Sequence, residues 1–428
     1  MTHPPQMQAK VGYLELIRTN PNYRRIWIGN VASLLGDWFN TIAIYTLVTG
    51  VTGSPLALGL VFITKMLPFA LAAPLAGLLT DRFDRRRLMI AADLARALVV
   101  LGFVLVDEPR EVPLLYLLAA IQMIISAVFI PAQSACIPNI TSERELLTAN
   151  TLSAATWSTL LAVGAALGGL VTDWLGVRSV FVLDSLSYCV SAFFIYRTVI
   201  PQTTDRPSGG TLGSAVREIV DGWRHMRARP SVTRMALAKA TWSLAGGGLV
   251  YILTLLGEEL SRHAPAVGIG LLYGARGLGT GIGPVAVRAW LPDEGKWPAM
   301  MGIGIAASGL TYLAIGSAPW TLWIVPLVVL AHAPSGANWV ASTVLLQKRT
   351  EDRFRGRVFS TEWLLITGVD TLSILAASLL LQTGLLTLRT AVLAFAAFQV
   401  VCGLGWWLLV VPLERRAAAT GPPPPRPR

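Results

Sequence analysis

The stretch Gly77-Leu78-Leu79-Thr80-Asp81-Arg82-Phe83-Asp84-Arg85-Arg86-Arg87 joins two long apolar runs through a short loop of two acids and four arginines. Closely spaced arginines resist transfer through a bilayer, so this loop stays on the side where lysine and arginine collect, the cytosol. It also presents Asp81, a carboxylate able to dock on the positive end of a neighbouring helix and so act as a latch. The rest of the chain reads outward from this hairpin.

The 428 residues are 54% apolar and 14% charged, with a mean hydropathy of +0.58, against about a quarter charged in soluble domains. The apolar residues come in blocks longer than about 18, a length that favours membrane-spanning helices over buried core helices. The first 25 residues are polar, so no cleaved signal peptide is expected ahead of the first block. A polytopic membrane protein follows.

A formal charge of +11 would suit a nucleic-acid binder, but its placement argues otherwise. Alternate connections, counted from the N-terminal segment, hold most of the lysines and arginines, while the intervening ones hold only Arg110, Arg178, Arg262 and Arg389. That asymmetry orients a membrane protein with both termini cytosolic, and no nucleic-acid partner is expected. Cys136, Cys189 and Cys402 lie in or beside apolar blocks without a Cys-x-x-Cys pattern, and the four histidines are scattered. No disulfide framework, metal site or other cofactor is implied. No His-Glu-x-x-His, paired Ser-His or short-spaced carboxylate pair appears, so an enzyme is not expected.

Six spans are expected first, over 26–49, 56–80, 88–106, 113–136, 148–172 and 177–196. The prolines, serines and charges of 197–233 break the pattern. Within them Leu212, Val216, Ile219, Val220, Trp223 and Met226 share one helical face, which predicts an amphipathic helix on the cytosolic membrane surface. Six more spans follow, over 234–256, 267–287, 297–315, 320–346, 359–381 and 388–411. The domain plan is therefore a cytosolic segment 1–25, a six-helix bundle 26–196, a linker 197–233, a second six-helix bundle 234–411 and a disordered tail 412–428. Twelve transmembrane helices in two pseudo-symmetric bundles is the plan of an all-α secondary transporter.

Gly77, Leu79, Asp81, Arg82, Arg85 and Arg86 match the loop signature of the major facilitator superfamily, Gly-x-Leu-x-Asp-Arg-x-Gly-Arg-Arg, with Asp84 in place of its Gly. Asp93-x-x-Arg96, Phe129-x-Pro131-Ala132 and Arg355-Gly356-Arg357-Val358-Phe359 resemble one branch of it, the enterobactin-type siderophore exporters and macrolide or multidrug efflux proteins. The resemblance runs from about residue 20 to 412. The second loop signature is degenerate, since Gly283-Pro284 is followed by Arg288 without an Asp-Arg pair. The arginine that many proton-driven members carry in span four is absent, and Gln122 is the nearest polar residue. The resemblance implies a secondary active exporter of a siderophore, macrolide or other drug-like molecule. It implies alternating access, proton antiport and residence in the cell membrane as a monomer. A lysophospholipid carrier is the alternative within transport, and a non-transporting receptor or scaffold is the alternative outside it.

Ionisable residues inside spans carry the strongest functional signal, because hydrocarbon penalises them unless they are paired or hydrated. Asp37, Lys65, Arg276 and Asp370 fall near mid-depth, one acid and one base in each half, as candidates for proton or substrate coupling. An Asp37–Lys65 salt bridge is within reach, and static pairing is the plainer alternative for all four. Gly77, Asp81, Arg82, Arg85, Arg86, Asp93, Arg96 and Glu362 fall near the cytosolic face as a gate. The resemblance sets Asp81 against the start of span eleven, where Glu362 could complement Arg82 or Arg85. Lys239 is expected to snorkel, and Asp184 to be structural through Ser185 or Ser187.

Span five contains Gly164, Gly168 and Gly169, resembling the exporter signature with Ala165 where proline is usual. Span eight contains Gly274 and Gly277. These glycines permit close helix approach, either as a sliding contact between bundles or as ordinary packing. Trp38, Phe39, Trp157, Trp242 and Trp339 are candidate cavity aromatics, with plain packing against lipid or helices as the alternative.

Overall fold

The computed structural model describes residues 11–201 and 212–419, together with the backbone but not the side chains of Pro74, Gly77, Leu78, Asp81, Leu212, Ser214, Ala215, Val216, Arg353, Ala418 and Ala419. Its elements are α1 (Tyr13–Thr19), α2 (Pro21–Thr52), α3 (Pro55–Arg82), α4 (Arg85–Leu101), α5 (Val112–Ile140), α6 (Glu143–Leu175), α7 (Val177–Tyr196) and α8 (Leu212–Ala228). They continue with α9 (Pro230–Leu260), α10 (Pro265–Trp290), α11 (Trp297–Ser317), α12 (Ile324–Arg349), α13 (Asp352–Gln382), α14 (Leu388–Leu409) and α15 (Val411–Ala419). No strand occurs among the described residues. Eleven of the helices are long and apolar enough to cross a bilayer. The twelfth, α10, is comparably long but diluted by Gly268, Gly270, Gly274, Gly277, Gly279, Gly281 and Gly283.

The helix ends follow from local chemistry. Asn20 accepts the Tyr23 N–H at 3.0 Å ahead of α2, and Ser54 accepts that of Ala57 at 3.1 Å ahead of α3, each followed by a proline whose missing N–H costs nothing at a first turn. Asp84, the departure from the loop signature, caps α4 by accepting the Arg87 N–H at 2.7 Å. The turns after α2 and α6 pass through Gly53 and Gly176 at φ of 57° and 78°, a region in which a side chain is strained.

α2–α7 and α9–α14 form two bundles with the same internal plan. α2 packs on α6 and α7, α3 on α5, and α4 on α5 and α7; correspondingly α9 packs on α13 and α14, α10 on α12, and α11 on α12 and α14. The two bundles meet through reciprocal pairs, α3 with α13 and α6 with α10. We call the ends carrying Arg82, Arg85 and Arg357 the basic face and the ends carrying Gly53, Gly176 and Gly384 the distal face.

Close contact between bundles concentrates toward the distal face. Ser54 Oγ bonds Gln382 at 2.7 Å, the Tyr251 hydroxyl bonds the Pro55 carbonyl at 2.7 Å, and Gly59 lies against Ser378. A methyl added at Gly270 would stand 2.6 Å from the Ala165 carbonyl oxygen, and one at Gly277 would stand 2.6 Å from the Ala162 backbone. Past that level the seam loosens: Gly281 and Gly368 have open space beside them, and Leu278, Ile282 and Trp363 are exposed. Gly270→Val is therefore expected to cost about 1–3 kcal/mol by overpacking, and Gly281→Val no more than about 0.5 kcal/mol, compared by thermal unfolding in detergent.

Two expectations change. Residues 412–419, expected in the disordered tail, are helical, with Glu414 held between Arg234 at 2.5 Å and Arg349 at 2.7 Å. The linker helix α8 packs on α13 rather than lying only on a membrane surface. Thr361 donates to the Ile219 carbonyl at 3.2 Å, Asp221 pairs with Arg357 at 3.6 Å and Met226 is buried. Val220 and Trp223 remain exposed. The expectations for 1–10, 202–211 and 420–428 lie outside the described residues.

Candidate functional site

In the N-terminal bundle, α2 and α7 build a polar network. The Tyr188 hydroxyl donates to Asp37 Oδ1 at 2.5 Å and accepts from Gln122 Nε2 at 2.9 Å. Asn40, one turn from Asp37, donates to the fully buried Asp184 at 2.6 Å, and Ser187 donates to the same carboxylate at 3.3 Å. Gly36 makes room for this, since any side chain there would collide with Ser187 and Asp184. Lys65 does not pair with Asp37. Its ammonium donates to Thr41 at 2.8 Å, and Thr41 donates to the Asp37 carbonyl at 2.7 Å. Asp37 and Lys65 both remain partly exposed.

Asp93 and Arg96 are placed inside this bundle, buried and paired with each other, rather than at a seam between bundles. The Arg96 guanidinium lies over the rings of Phe129 at 4.2 Å and Tyr188 at 4.4 Å. That sandwich covers a cation which hydrocarbon would otherwise expel. Because Tyr188 touches Arg96 through its ring and Asp37 through its hydroxyl, the buried pair and the half-exposed acid share one side chain.

The C-terminal bundle is arranged differently. Asp370 is turned onto α9, so that a methyl at Gly247 would stand 2.7 Å from its Oδ1, and that oxygen is buried without a partner. Arg276 lies within electrostatic range of Asp370 and His332, yet forms no ion pair or hydrogen bond among the described residues. His332 Nε2 and the Tyr312 hydroxyl are 2.9 Å apart, and the Trp242 and His332 rings are 6.4 Å apart. Glu362 pairs with Lys239 at 3.0 Å instead of complementing Arg82 or Arg85, and Lys239 lies 4.6 Å from the Trp339 ring. Lys239 is thus a buried partner and does not snorkel. Either single substitution, Lys239→Met or Glu362→Leu, is expected to destabilise the protein by about 3–5 kcal/mol by stranding the other charge. The double variant Lys239→Met/Glu362→Leu should recover much of that loss in a thermal double-mutant cycle.

Of the proposed gate, Arg85 donates to the Ala135 carbonyl at 3.0 Å and Arg86 to the Ile195 and Tyr196 carbonyls. These are the C-terminal ends of α5 and α7, where a helix dipole favours a cation. The Asp81 side chain and the surroundings of Gly77 lie outside the described residues. Of the helix-contact glycines, Gly169, Gly274 and Gly277 lie against α10 or α6 across the seam, whereas Gly164 and Gly168 receive Trp38 and Phe39 of α2. Those two aromatics pack within their bundle. Trp157 and Trp339 are exposed, and Trp242 lies over Gly246.

Sequence reasoning missed the closure at the distal face. Tyr45 stacks on Phe62 at 4.5 Å, Phe62 meets Tyr251 edge-on at 5.8 Å, and Tyr45 meets Tyr273 at 5.9 Å. All four are buried, and they come from α2, α3, α9 and α10. The cluster therefore joins both bundles above the level of Asp37 and Arg276. Four aromatics in four apolar blocks look like any membrane packing, and only the assembled bundle brings them together.

A family model for the Major Facilitator Superfamily matches residues 26–361. The chain is 26% identical over 406 residues to an uncharacterized MFS-type transporter, YfiS, of Bacillus subtilis (strain 168), covering 87% of this chain and 94% of that protein. It is 24% identical over 345 residues to macrolide efflux protein A of Streptococcus pyogenes, covering 78% and 83%. Among solved structures, it resembles a bacterial homologue of the human lysosomal transporter Spinster in an inward-facing, unoccupied conformation, with TM-score 0.72, 16% identity and 94% and 99% coverage.

Proposed function

The chain belongs to the Major Facilitator Superfamily, and from that membership we propose that it exports a medium-sized, drug-like organic compound by alternating access in exchange for protons. The siderophore and macrolide classes are the cargo types this reading starts from, and the macrolide efflux relative supports outward transport. We place the protein as a monomer in the bacterial cell membrane with the basic face cytosolic. The distal arginines support that orientation, because three of the four are neutralised locally, Arg110 by Glu108, Arg178 by Asp107 and Arg262 by Glu259, and Arg389 is hydrogen-bonded to the Gly316 and Ala318 carbonyls.

The observation that carries the reading is the half-exposed Asp37 beneath an aromatic closure. Asp37 and Asp184, two carboxyl groups, share a single lysine, Lys65, while Asp93 and Arg96 are paired with each other, so with both acids ionised the cluster is one positive charge short of neutrality. A proton or a cationic part of the cargo supplies that charge. Supplying it in one state and losing it in the other gives the two states different energies, which any driven conformational change requires. A carrier of this kind loses export when the proton gradient is collapsed, whereas a lysophospholipid carrier would continue. The test is accumulation of erythromycin and of a fluorescent dye in an efflux-deficient host, with and without a protonophore. Export unaffected by gradient collapse retires the antiport reading.

A further inference from the structure

The geometry points to an anion seat at Arg276, so that the exported compound carries a carboxylate or a phosphate group that docks there. This inference rests on the export reading and sharpens it. Four ionisable side chains stand near mid-depth, and three are occupied. Asp37 accepts from Tyr188, Lys65 donates to Thr41, and Asp370, turned onto α9, is hydrogen-bonded to Ser243. Arg276 alone of the four has no acceptor among the described residues, and its Nε is buried without a hydrogen bond. Its guanidinium carbon lies 5.8 Å from the Tyr273 ring, and Asp370 stands within electrostatic range without forming an ion pair with it. A guanidinium offers five donors in a planar fork suited to a carboxylate or phosphate.

The surroundings favour a bound acid over a permanent internal partner. Gly277, next in the chain, seals α10 against Ala162, so the backbone beneath Arg276 is held in place. His332 is fully buried, with its Nε2 at Tyr312 and its Nδ1 unpartnered. Trp242, which faces His332, has an unpartnered indole N–H. Around Arg276, then, its own Nε, the His332 Nδ1 and the Trp242 indole N–H lack partners, whereas Asp37, Asp184 and Lys65 of the N-terminal bundle are hydrogen-bonded. Tyr45 lies within electrostatic range of Arg276 from the opposite bundle, so an anion seated here would sit directly beneath the distal closure. A cargo with a carboxylate at this end and a proton or amine at the Asp37 end would balance both clusters.

Phenylglyoxal labelling of the full-length protein in nanodiscs, mapped by mass spectrometry, tests the seat without knowing the natural cargo. Arg276 should be modified, and benzoate, N-acetylphenylalanine or phenylphosphate should slow its modification by about tenfold through charge-assisted hydrogen bonds. The neutral isostere benzamide should not. Arg276→Lys should retain a preference for carboxylated over amidated compounds in cell efflux, and Arg276→Gln should lose it. An unreactive Arg276, protection by none of the three anions, or equal protection by benzamide overturns the seat. Its failure is separable from failure of the export reading. In the first case Asp37-dependent efflux persists without anion protection; in the second, anion protection persists in a protein that exports nothing.

Discussion

Asp37→Asn is expected to abolish export while leaving a folded, inserted protein. The substitution keeps size and shape, and the amide oxygen can still accept the Tyr188 hydroxyl that now reaches Oδ1 at 2.5 Å. What it removes is the negative charge and the ability to gain and lose a proton. What remains is Asp184, held by Asn40 and Ser187, and Lys65, held by Thr41. A driving step worth about 3 kcal/mol corresponds to a loss of roughly 100-fold in rate, whereas the stability change should stay within about 1 kcal/mol. Tyr188→Phe is the informative companion. It leaves the Asp37 charge and the ring over which Arg96 lies at 4.4 Å, and removes only the hydroxyl, so a smaller loss of about tenfold is expected. Efflux from cells expressing matched amounts of each variant is the measurement. Wild-type efflux by Asp37→Asn would remove the proposed role of this carboxylate, whatever the behaviour of Tyr188→Phe.

Much of the architecture was legible because bilayer physics leaves few choices. Long apolar blocks must be helices, and the arginine loop after Thr80 must stay at a basic face. The depth of Asp37, Lys65, Arg276 and Asp370 followed from the rise of about 1.5 Å per residue. Pairing did not follow, since depth says nothing of azimuth. Lys65 at the level of Asp37 turns to Thr41, and Lys239 finds Glu362 on a helix far along the chain. Asp84 looked like a departure from a motif, yet a carboxylate before Arg85-Arg86-Arg87 is also a helix-cap signal, and that signal was available. The glycines of α10 announced close contact without saying with what. Gly270, Gly274 and Gly277 meet α6, while Gly279 and Gly283 meet α12, a division that three-dimensional packing alone determines. Glu414 was hidden in a stretch whose composition reads as tail, because its value lies in two arginines from α9 and α12.

Phe62→Ala is expected to open the distal face. Phe62 is the hub of the aromatic closure, stacked on Tyr45 with ring planes 8° apart and edge-on to Tyr251 of the other bundle. Truncating a buried phenylalanine typically costs about 3–5 kcal/mol. Here only part of that burial is made between bundles, and only this part is lost when the distal face opens. If about 1.5 kcal/mol of it belongs to the closed state, the ratio of open to closed molecules rises roughly tenfold. The other joints, Ser54 with Gln382, Tyr251 with Pro55, Gly59 against Ser378 and the glycine contacts of α10 with α6, are left in place by this substitution. Spin labels at Gly50→Cys and Leu385→Cys report the change directly, in a Cys189→Ser background because that thiol is exposed. Both label sites are exposed, lie near the distal face on opposite bundles, and are away from the closure, Gly50 having open space beside it. The pulsed-EPR distance distribution should gain a long component in Phe62→Ala. Phe103→Ala, which removes an equally buried ring from within one bundle beside Phe181, should destabilise the protein without that component. A distribution unchanged by Phe62→Ala, or changed equally by Phe103→Ala, would mean that the four aromatics are ordinary packing and that something else holds this face shut.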